Sequence, residues 1–262
     1  RPLHELLQEV VDYKRIDRNI LSGHLDAISV SASSYSDGDS IAFFQSQDAQ
    51  SWQRAKRRGQ RTVLTTRHLM ASAAIPLVFP SVKIDNQYFG DGSIHQLSPL
   101  SPPIHLGADK ILIIGVEQPK TDKYYGEQEF HPNSATITGH LLETVFTDSL
   151  NSDLERLNRI NKTLEQNKAN HDELRKVDTL VINPSRNFSK IAASYYDEIP
   201  SAIRFLLRFI GVNRTSESTL ASYILFEKPF TRKLIEIGYQ DGLDRIDEII
   251  DFLELDTVEQ KH

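Results

Sequence analysis

Two aliphatic runs, separated by one long amphipathic pattern, most constrain what this chain can fold into. Ile111 to Ile114 are consecutive within Lys110 to Val116, and Leu180 to Ile182 lie within Val177 to Asn183. Between them, Ile137 to Glu165 places apolar residues at every third or fourth position, which predicts a helix. A continuous apolar run is typical of a strand buried on both faces of an α/β sheet. We therefore predict an α/β fold with a mostly parallel central sheet flanked by helices.

Shorter local signals predict the remaining elements. We expect a hairpin whose strands, Leu25 to Ala32 and Ile41 to Gln45, flank a turn at Gly38, and a second hairpin around Asp85-Asn86. The polar and basic stretch Asp48 to Gly59 is interpreted as an exposed loop or short helix. Helical patterns cover residues 2–11, 67–74, 199–211, 220–226, 230–238 and 243–253. We expect residues 1–183 to form the α/β portion and residues 184–262 to form a helical C-terminal region packed on it.

Charge and composition exclude several classes of function. The 262 residues carry a net charge of −6, which argues against a nucleic-acid partner because phosphate binding needs a basic face. The absence of cysteine excludes disulfides, thiolate nucleophiles and cysteine zinc sites. The nine histidines show no spacing typical of metal ligands, so we predict no metal and no cofactor. No apolar run reaches the length of about 20 residues that a membrane-spanning helix needs.

The candidate catalytic residue is Asp91, which lies on a glycine turn at a predicted strand end. Gly90 and Gly92 lack side chains, so we expect them to let the backbone turn sharply and to leave room for an approaching hydroxyl; Ser93 completes the turn. A carboxylate held in this way can act as a general base. Asp-Gly is also a common turn dipeptide, and it recurs at Asp37-Gly38 and Asp241-Gly242 with nothing nearby to suggest chemistry.

The order of segments around Asp91 resembles the C-terminal part of the patatin-like phospholipases, bacterial type. A helix ending in Ala71-Ser72-Ala73-Ala74-Ile75-Pro76 precedes a hairpin and the Asp-Gly-Ser turn. A proline-rich segment, Gly107-Ala108-Asp109 and an apolar strand follow. The resemblance implies a Ser-Asp dyad without histidine, with Asp91 as the general base and an oxyanion hole in a glycine-rich loop. It also implies phospholipid or another lipid ester as the substrate, and peripheral contact with a membrane. Ser93 stands where the family often has Gly or Ala.

The nucleophile that the resemblance implies is not found in these residues, because no Gly-x-Ser-x-Gly elbow occurs. We expect the N-terminal strands, the elbow and the oxyanion loop to lie upstream, on an N-terminal part of the same protein, and this chain alone to be inactive. Any targeting signal would lie there too, so the predicted location is cytoplasmic or peripheral at a membrane. The alternatives are a catalytically inactive patatin-like module that binds lipid or protein, and an α/β scaffold whose resemblance is only architectural.

Other serines and a histidine near the turn are weaker candidates. Ser31, Ser33 and Ser34 lack flanking glycines and are interpreted as ordinary strand and turn hydroxyls, and Ser72 as a small residue at a close contact. His95 follows the turn but has no supporting pattern. The strongly apolar helix predicted over Ile199 to Gly211 is compatible either with burial in the protein core or with contact at a membrane surface. The basic stretch Arg54 to Arg61 fits a solvated charge run or anionic lipid.

Overall fold

The structure, a computed structural model, describes residues 2–76, 79–119, 134–166, 174–201, 204, 222 and 225–255. The chain forms two compact units. The first contains Arg1–Asp109 and Asp148–Val177, and the second contains Lys110–Thr147 and Asp178–His262. The units therefore do not divide at residue 183. The predicted assignment of residues 1–183 to a catalytic α/β portion stays a prediction.

The first unit contains a six-stranded mixed sheet with helices beside it. The sheet order is β3-β4-β2-β1-β6-β5. Its strands are β1 Ala27–Ser34, β2 Ser40–Ser46, β3 Trp52–Arg54, β4 Arg57–Arg61, β5 Val82–Ile84 and β6 Gln87–Asp91. In the described residues before α5, the helices are α1 Pro2–Val10, α2 Tyr13–Leu21, α3 Thr66–Ser72 and α4 Ser101–His105, with a 3-10 turn at Gly92–His95. Helix α5, Ser134–Gln166, begins in the second unit and ends in the first.

The core of the first unit lies between α3 and one face of this sheet. Strand β1 alternates strictly, with Ile28, Val30 and Ala32 packed in the core cluster and serines between them. Period-two alternation sends successive side chains to opposite faces, so one face of β1 is apolar and the other is polar. The other buried members of the cluster are Ile41, Phe43, Leu64, Ala71, Ile84 and Phe89.

The two predicted hairpins are confirmed, but the predicted mostly parallel central sheet is wrong. Strand β1 pairs antiparallel with β2 across the turn that contains Gly38 (φ +70°), and β5 pairs antiparallel with β6. Of the five pairs of neighbouring strands in the six-stranded sheet, only β2 with β4 is parallel. The hairpin connections are too short for a parallel return, which needs a crossover of about a dozen residues.

The predicted loop or short helix at Asp48 to Gly59 is also wrong, because β3 and β4 pair there as an antiparallel hairpin. The Trp52 ring lies over Gly59, where a Cβ would fall 2.3 Å from the ring, and stacks on Phe44 and His105. These contacts order a segment whose composition is polar. In the basic stretch Arg54 to Arg61, Arg58 pairs with Asp37 and donates to the side-chain oxygen of Gln87, and Arg61 donates to a backbone carbonyl.

The second unit contains a two-stranded parallel sheet and several helices. Strands β7 Lys110–Ile114 and β8 Asp178–Ile182 pair in register. Helix α6 is Phe188–Ser194, a 3-10 turn covers Tyr196–Glu198, and α7 and α8 are Lys228–Asp244 and Ile246–Leu253. The prediction of both strands is confirmed, but the predicted burial of β7 on both faces is wrong. Ile114 is 83% exposed, and in the described part of the chain β7 pairs only with β8. The helices predicted over 199–211 and 220–226 lie largely outside the described residues.

Candidate active site

Asp91 is held at the end of β6, beside β1 and against Ala74, two residues after the end of α3. It aligns with Ala32 of β1, and its backbone N–H donates to the carbonyl oxygen of Ala74 at 3.0 Å. Only 8% of the residue is exposed. The Ala-rich helix end and the Asp turn, which the sequence places 17 residues apart, therefore meet through a direct hydrogen bond.

One oxygen of the Asp91 carboxylate is anchored and the other is not. Oδ1 accepts hydrogen bonds from the backbone N–H of Ser93 at 2.9 Å and from its hydroxyl at 2.6 Å. Asp91 thereby caps the 3-10 turn that begins at Gly92. Among the described residues, Oδ2 has no hydrogen-bond partner. The carboxylate is thus fixed in orientation through Oδ1 and retains an acceptor atom at Oδ2.

Serines of β1 hold the turn from the other side. The buried Ser33 hydroxyl donates to the carbonyl oxygen of Gly92 at 3.1 Å and accepts from the backbone N–H of His95 at 3.1 Å. The side-chain amide of Gln96 donates to the Ser31 hydroxyl at 3.3 Å. Ser34, by contrast, accepts from the backbone of Ser36 in its own turn. Ser31 and Ser33 therefore hydrogen-bond to the turn that follows Asp91, and their spacing of two places both on the same face of β1.

Gly90 and Gly92 pack closely against their neighbours, and their predicted role in leaving room for an approaching hydroxyl stays a prediction. Neither has a positive φ. A Cβ on Gly92 would lie 2.5 Å from the backbone oxygen of Ser31, and a Cβ on Gly90 would lie 2.3 Å from the Tyr35 hydroxyl. The small residues therefore let β1 and Tyr35 approach the Asp91 backbone closely, which brings the β1 serines within hydrogen-bonding reach of the turn.

The other candidate residues, Ser93, Ser72 and His95, have different surroundings in the structure. The Ser93 hydroxyl bonds to Asp91 but also belongs to the capped turn, so its contact is local. Ser72 lies half-buried in α3, with no side-chain hydrogen bond found among the described residues. His95 is half-buried, its Nδ1 has no hydrogen-bond partner among the described residues, and no hydrogen bond joins it to Asp91. The geometry does not form a Ser-His-Asp triad from these residues.

His68 stabilises the helix that supports Asp91, and the sequence did not single it out. It is buried in α3, and its ring contacts Phe43 with centroids 4.7 Å apart. Its Nδ1 accepts a hydrogen bond from the Thr65 backbone N–H at 3.0 Å, which requires the neutral ring. Burial lowers the pKa of His68, and the charge of Asp85 opposes this shift.

We expect this depressed pKa to make the fold less stable in mild acid. The stability that neutral His68 contributes is complete above the pKa of the unfolded chain and is lost as the pH falls through the lower folded-state pKa. The slope is at most about 1.4 kcal/mol per pH unit for one proton. Urea unfolding at pH of about 7.5 and about 5 tests this. His68→Gln should reduce the difference in the free energy of unfolding between the two pH values. An unchanged pH dependence in this variant would contradict His68 as its source.

Other features of the described residues lie away from Asp91. An open pocket of about 450 Å³ lies at β3 and β4 and is lined in part by Trp52, Arg58 and Gln87, without Asp91. The described residues contain no group of three or more histidine or acidic side chains placed to hold a metal ion. No helix within the described ranges is long and apolar enough to cross a membrane.

Comparison with known proteins does not assign this chain to a family. A scan against models of known protein families finds no match, and a search of curated proteins finds none.

Proposed function

We propose that this chain supplies the general base, Asp91, of a serine lipid acyl hydrolase of the patatin-like type. In this proposal the nucleophilic serine and the oxyanion loop lie outside these 262 residues, on an N-terminal part of the same protein. The substrate is a phospholipid or another lipid ester, reached by peripheral contact with a membrane surface. The finer fold assignment, a patatin-like catalytic portion with a helical C-terminal region, belongs to the same proposal.

The observation that carries the proposal is the state of the Asp91 carboxylate. It lies at a strand end, nearly buried, with Oδ1 fixed by Ser93 and Oδ2 unpartnered among the described residues. A general base needs a fixed orientation and one acceptor within reach of the proton that it removes. Ser33 and Gly92 add the rigid support that such a geometry requires.

The proposed reaction proceeds through an acyl-enzyme. Asp91 Oδ2 accepts the proton of the serine hydroxyl while the serine oxygen attacks the ester carbonyl carbon. The protonated carboxyl then gives this proton to the departing alkoxide, which leaves as the alcohol. In the second half, Asp91 takes a proton from water as it attacks the acyl-enzyme, and returns it to the serine oxygen when the fatty acid is released.

One observation favours the alternative, a catalytically inactive module that binds lipid or protein. Asp91 caps the turn at Gly92, and this structural role alone is sufficient to retain an aspartate there. A cap needs only the oxygen that accepts from Ser93, whereas a base needs both the charge and the second oxygen. The two roles therefore respond differently to the same substitution.

The test of the proposal is hydrolysis by the protein with and without its N-terminal part. We expect the polypeptide of residues 1–262 alone to release no product from a short-chain p-nitrophenyl ester or from phosphatidylcholine vesicles, since it lacks a nucleophile elbow. The longer polypeptide should hydrolyse at least one of them. Clear turnover by residues 1–262 alone would contradict the proposed division of the site, and inactivity of both would favour the binding module.

A further inference from the structure

Helix α7 has an apolar stripe on the side opposite to the one that packs in its own unit. Phe230 and Leu234 pack against the cluster formed with α6, and Asp241 accepts from the Ser185 backbone. At about 100° per residue, these positions lie on one side of the helix. Ile235 and Tyr239 are each 70% exposed, and they lie on the other side. The stripe consists of the exposed residues Ile235, Gly238, Tyr239 and Leu243 and the half-buried Gly242, and the exposed Ile246 follows it at the start of α8.

The stripe has open space above its glycines, and its three large side chains in α7 are evenly spaced about Tyr239. A Cβ at Gly238 or Gly242 would meet nothing within 4 Å, so another helix can approach the backbone closely there. Ile235 lies four residues before Tyr239, and Leu243 lies four residues after it. In an antiparallel pair of two α7 helices centred on Tyr239, Ile235 of one copy faces Leu243 of the other. Such a self-complementary surface is what a two-fold dimer requires.

The charges at the two ends of the stripe match in the same arrangement. The first turns of α7 carry Lys228 and Arg232, whereas its end and the start of α8 carry Asp244 and Asp247. The other charges at the two ends pair within the chain, Lys233 with Glu236 and Glu248 with Arg245. Among the described residues, neither Arg232 nor Asp247 has a hydrogen bond or an ion pair. An antiparallel pair brings the basic end of one helix against the acidic end of the other.

We propose that the α7 stripe is the contact surface for a second copy of this chain, with the two α7 helices antiparallel. The acidic end of the stripe disfavours an anionic lipid surface, which would require basic residues along its whole length. In a symmetric dimer the basic end of each α7 helix lies against the acidic end of the other, so both ends of each helix are paired. The proposal does not depend on the role of Asp91.

Sedimentation velocity over about 1–200 µM tests the proposal on the full chain. We expect a reversible monomer–dimer equilibrium that Tyr239→Glu shifts to monomer. Val63→Glu, which changes an exposed apolar residue of the first unit, should leave the equilibrium unchanged. A monomer over the whole range would overturn the proposal, and so would a dimer that Tyr239→Glu does not affect.

Two further variants separate the interface from a loss of folding. Gly238→Leu should raise the dimer dissociation constant at least about tenfold without lowering the Tm of the monomer, measured at concentrations where the wild type is monomeric, because leucine is a better helix former than glycine and meets no neighbour within one copy. Arg232→Glu should weaken the dimer, and Asp247→Arg added to it should restore the affinity. Failure of the restoration would overturn the antiparallel arrangement. Pelleting with phosphatidylcholine–phosphatidylglycerol vesicles that depends on Tyr239, in a monomeric protein, would assign the surface to lipid and overturn the proposal.

Discussion

Asp91→Asn is expected to abolish measurable hydrolysis by the complete protein while leaving its fold intact. Asparagine keeps an oxygen that accepts from the Ser93 N–H, so the cap of the turn at Gly92 survives. It cannot accept the proton of a serine hydroxyl, and loss of a positioned general base lowers the rate by about 10²–10⁴-fold. The measurement is kcat/KM for a lipid ester, together with Tm for wild type and variant.

Asp37→Asn is the matched control, because Asp37 also precedes a glycine in a turn. Its carboxylate pairs with Arg58 and lies in the β1–β2 hairpin. Burial raises the pKa of Asp37, but hydrogen bonds from Ser34, Asp39 and Gln87 and the charge of Arg58 together lower it more. We expect Asp37→Asn to change activity by less than about twofold, as for other surface substitutions away from the site. Full activity in Asp91→Asn would show that Asp91 is only a cap.

Gly92→Ala is expected to destabilise the first unit by about 2–3 kcal/mol, because the added methyl overlaps backbone atoms that cannot move alone. Its Cβ would lie 2.5 Å from the oxygen and 2.8 Å from the carbonyl carbon of Ser31. Relief requires β1 to move away from the turn, which also lengthens the hydrogen bonds of Ser33 to Gly92 and His95. Urea unfolding of the wild type and the variant measures the difference in free energy.

Gly90→Ala provides the comparison for this prediction. Its Cβ would overlap only the outer part of the Tyr35 side chain, and Tyr35 is 50% exposed and can rotate away. The cost should therefore be smaller than for Gly92→Ala. A loss of stability in Gly90→Ala as large as that in Gly92→Ala would contradict the close approach of β1 to the turn as the reason for glycine at position 92.

The elements that local signals specify could be predicted from the sequence, and the pairing of strands could not. The turn at Gly38 and the Asp85-Asn86 turn are properties of a few neighbouring residues, and both hairpins form there. The direction of the sheet depends on which distant strands meet. The hairpin of β3 and β4 depends on Trp52 packing over Gly59 and stacking on Phe44 and His105, contacts that a polar composition does not reveal.

At the candidate site, the sequence indicates Asp91 but not the side chains that hold it. Asp91 stands out because an acidic residue between two glycines is a local pattern. Ser33 contacts the turn across 59 and 62 residues of sequence, and the Asp91 N–H reaches Ala74 after α3. These contacts exist only once β1 and β6 are adjacent in the sheet. The sequence shows hydroxyl residues at alternate positions of a strand, but it does not show which distant residues they contact.

The most direct test of the central claim is labelling of the complete protein with a fluorophosphonate serine probe, followed by mass spectrometry of the labelled peptide. We expect one labelled serine, outside residues 1–262, in the wild type and in Asp37→Asn, and labelling that is lost or strongly slowed in Asp91→Asn. A label at the same rate in Asp91→Asn, or no labelled serine in the wild type, would contradict the assignment of Asp91 as the base of a serine acyl hydrolase.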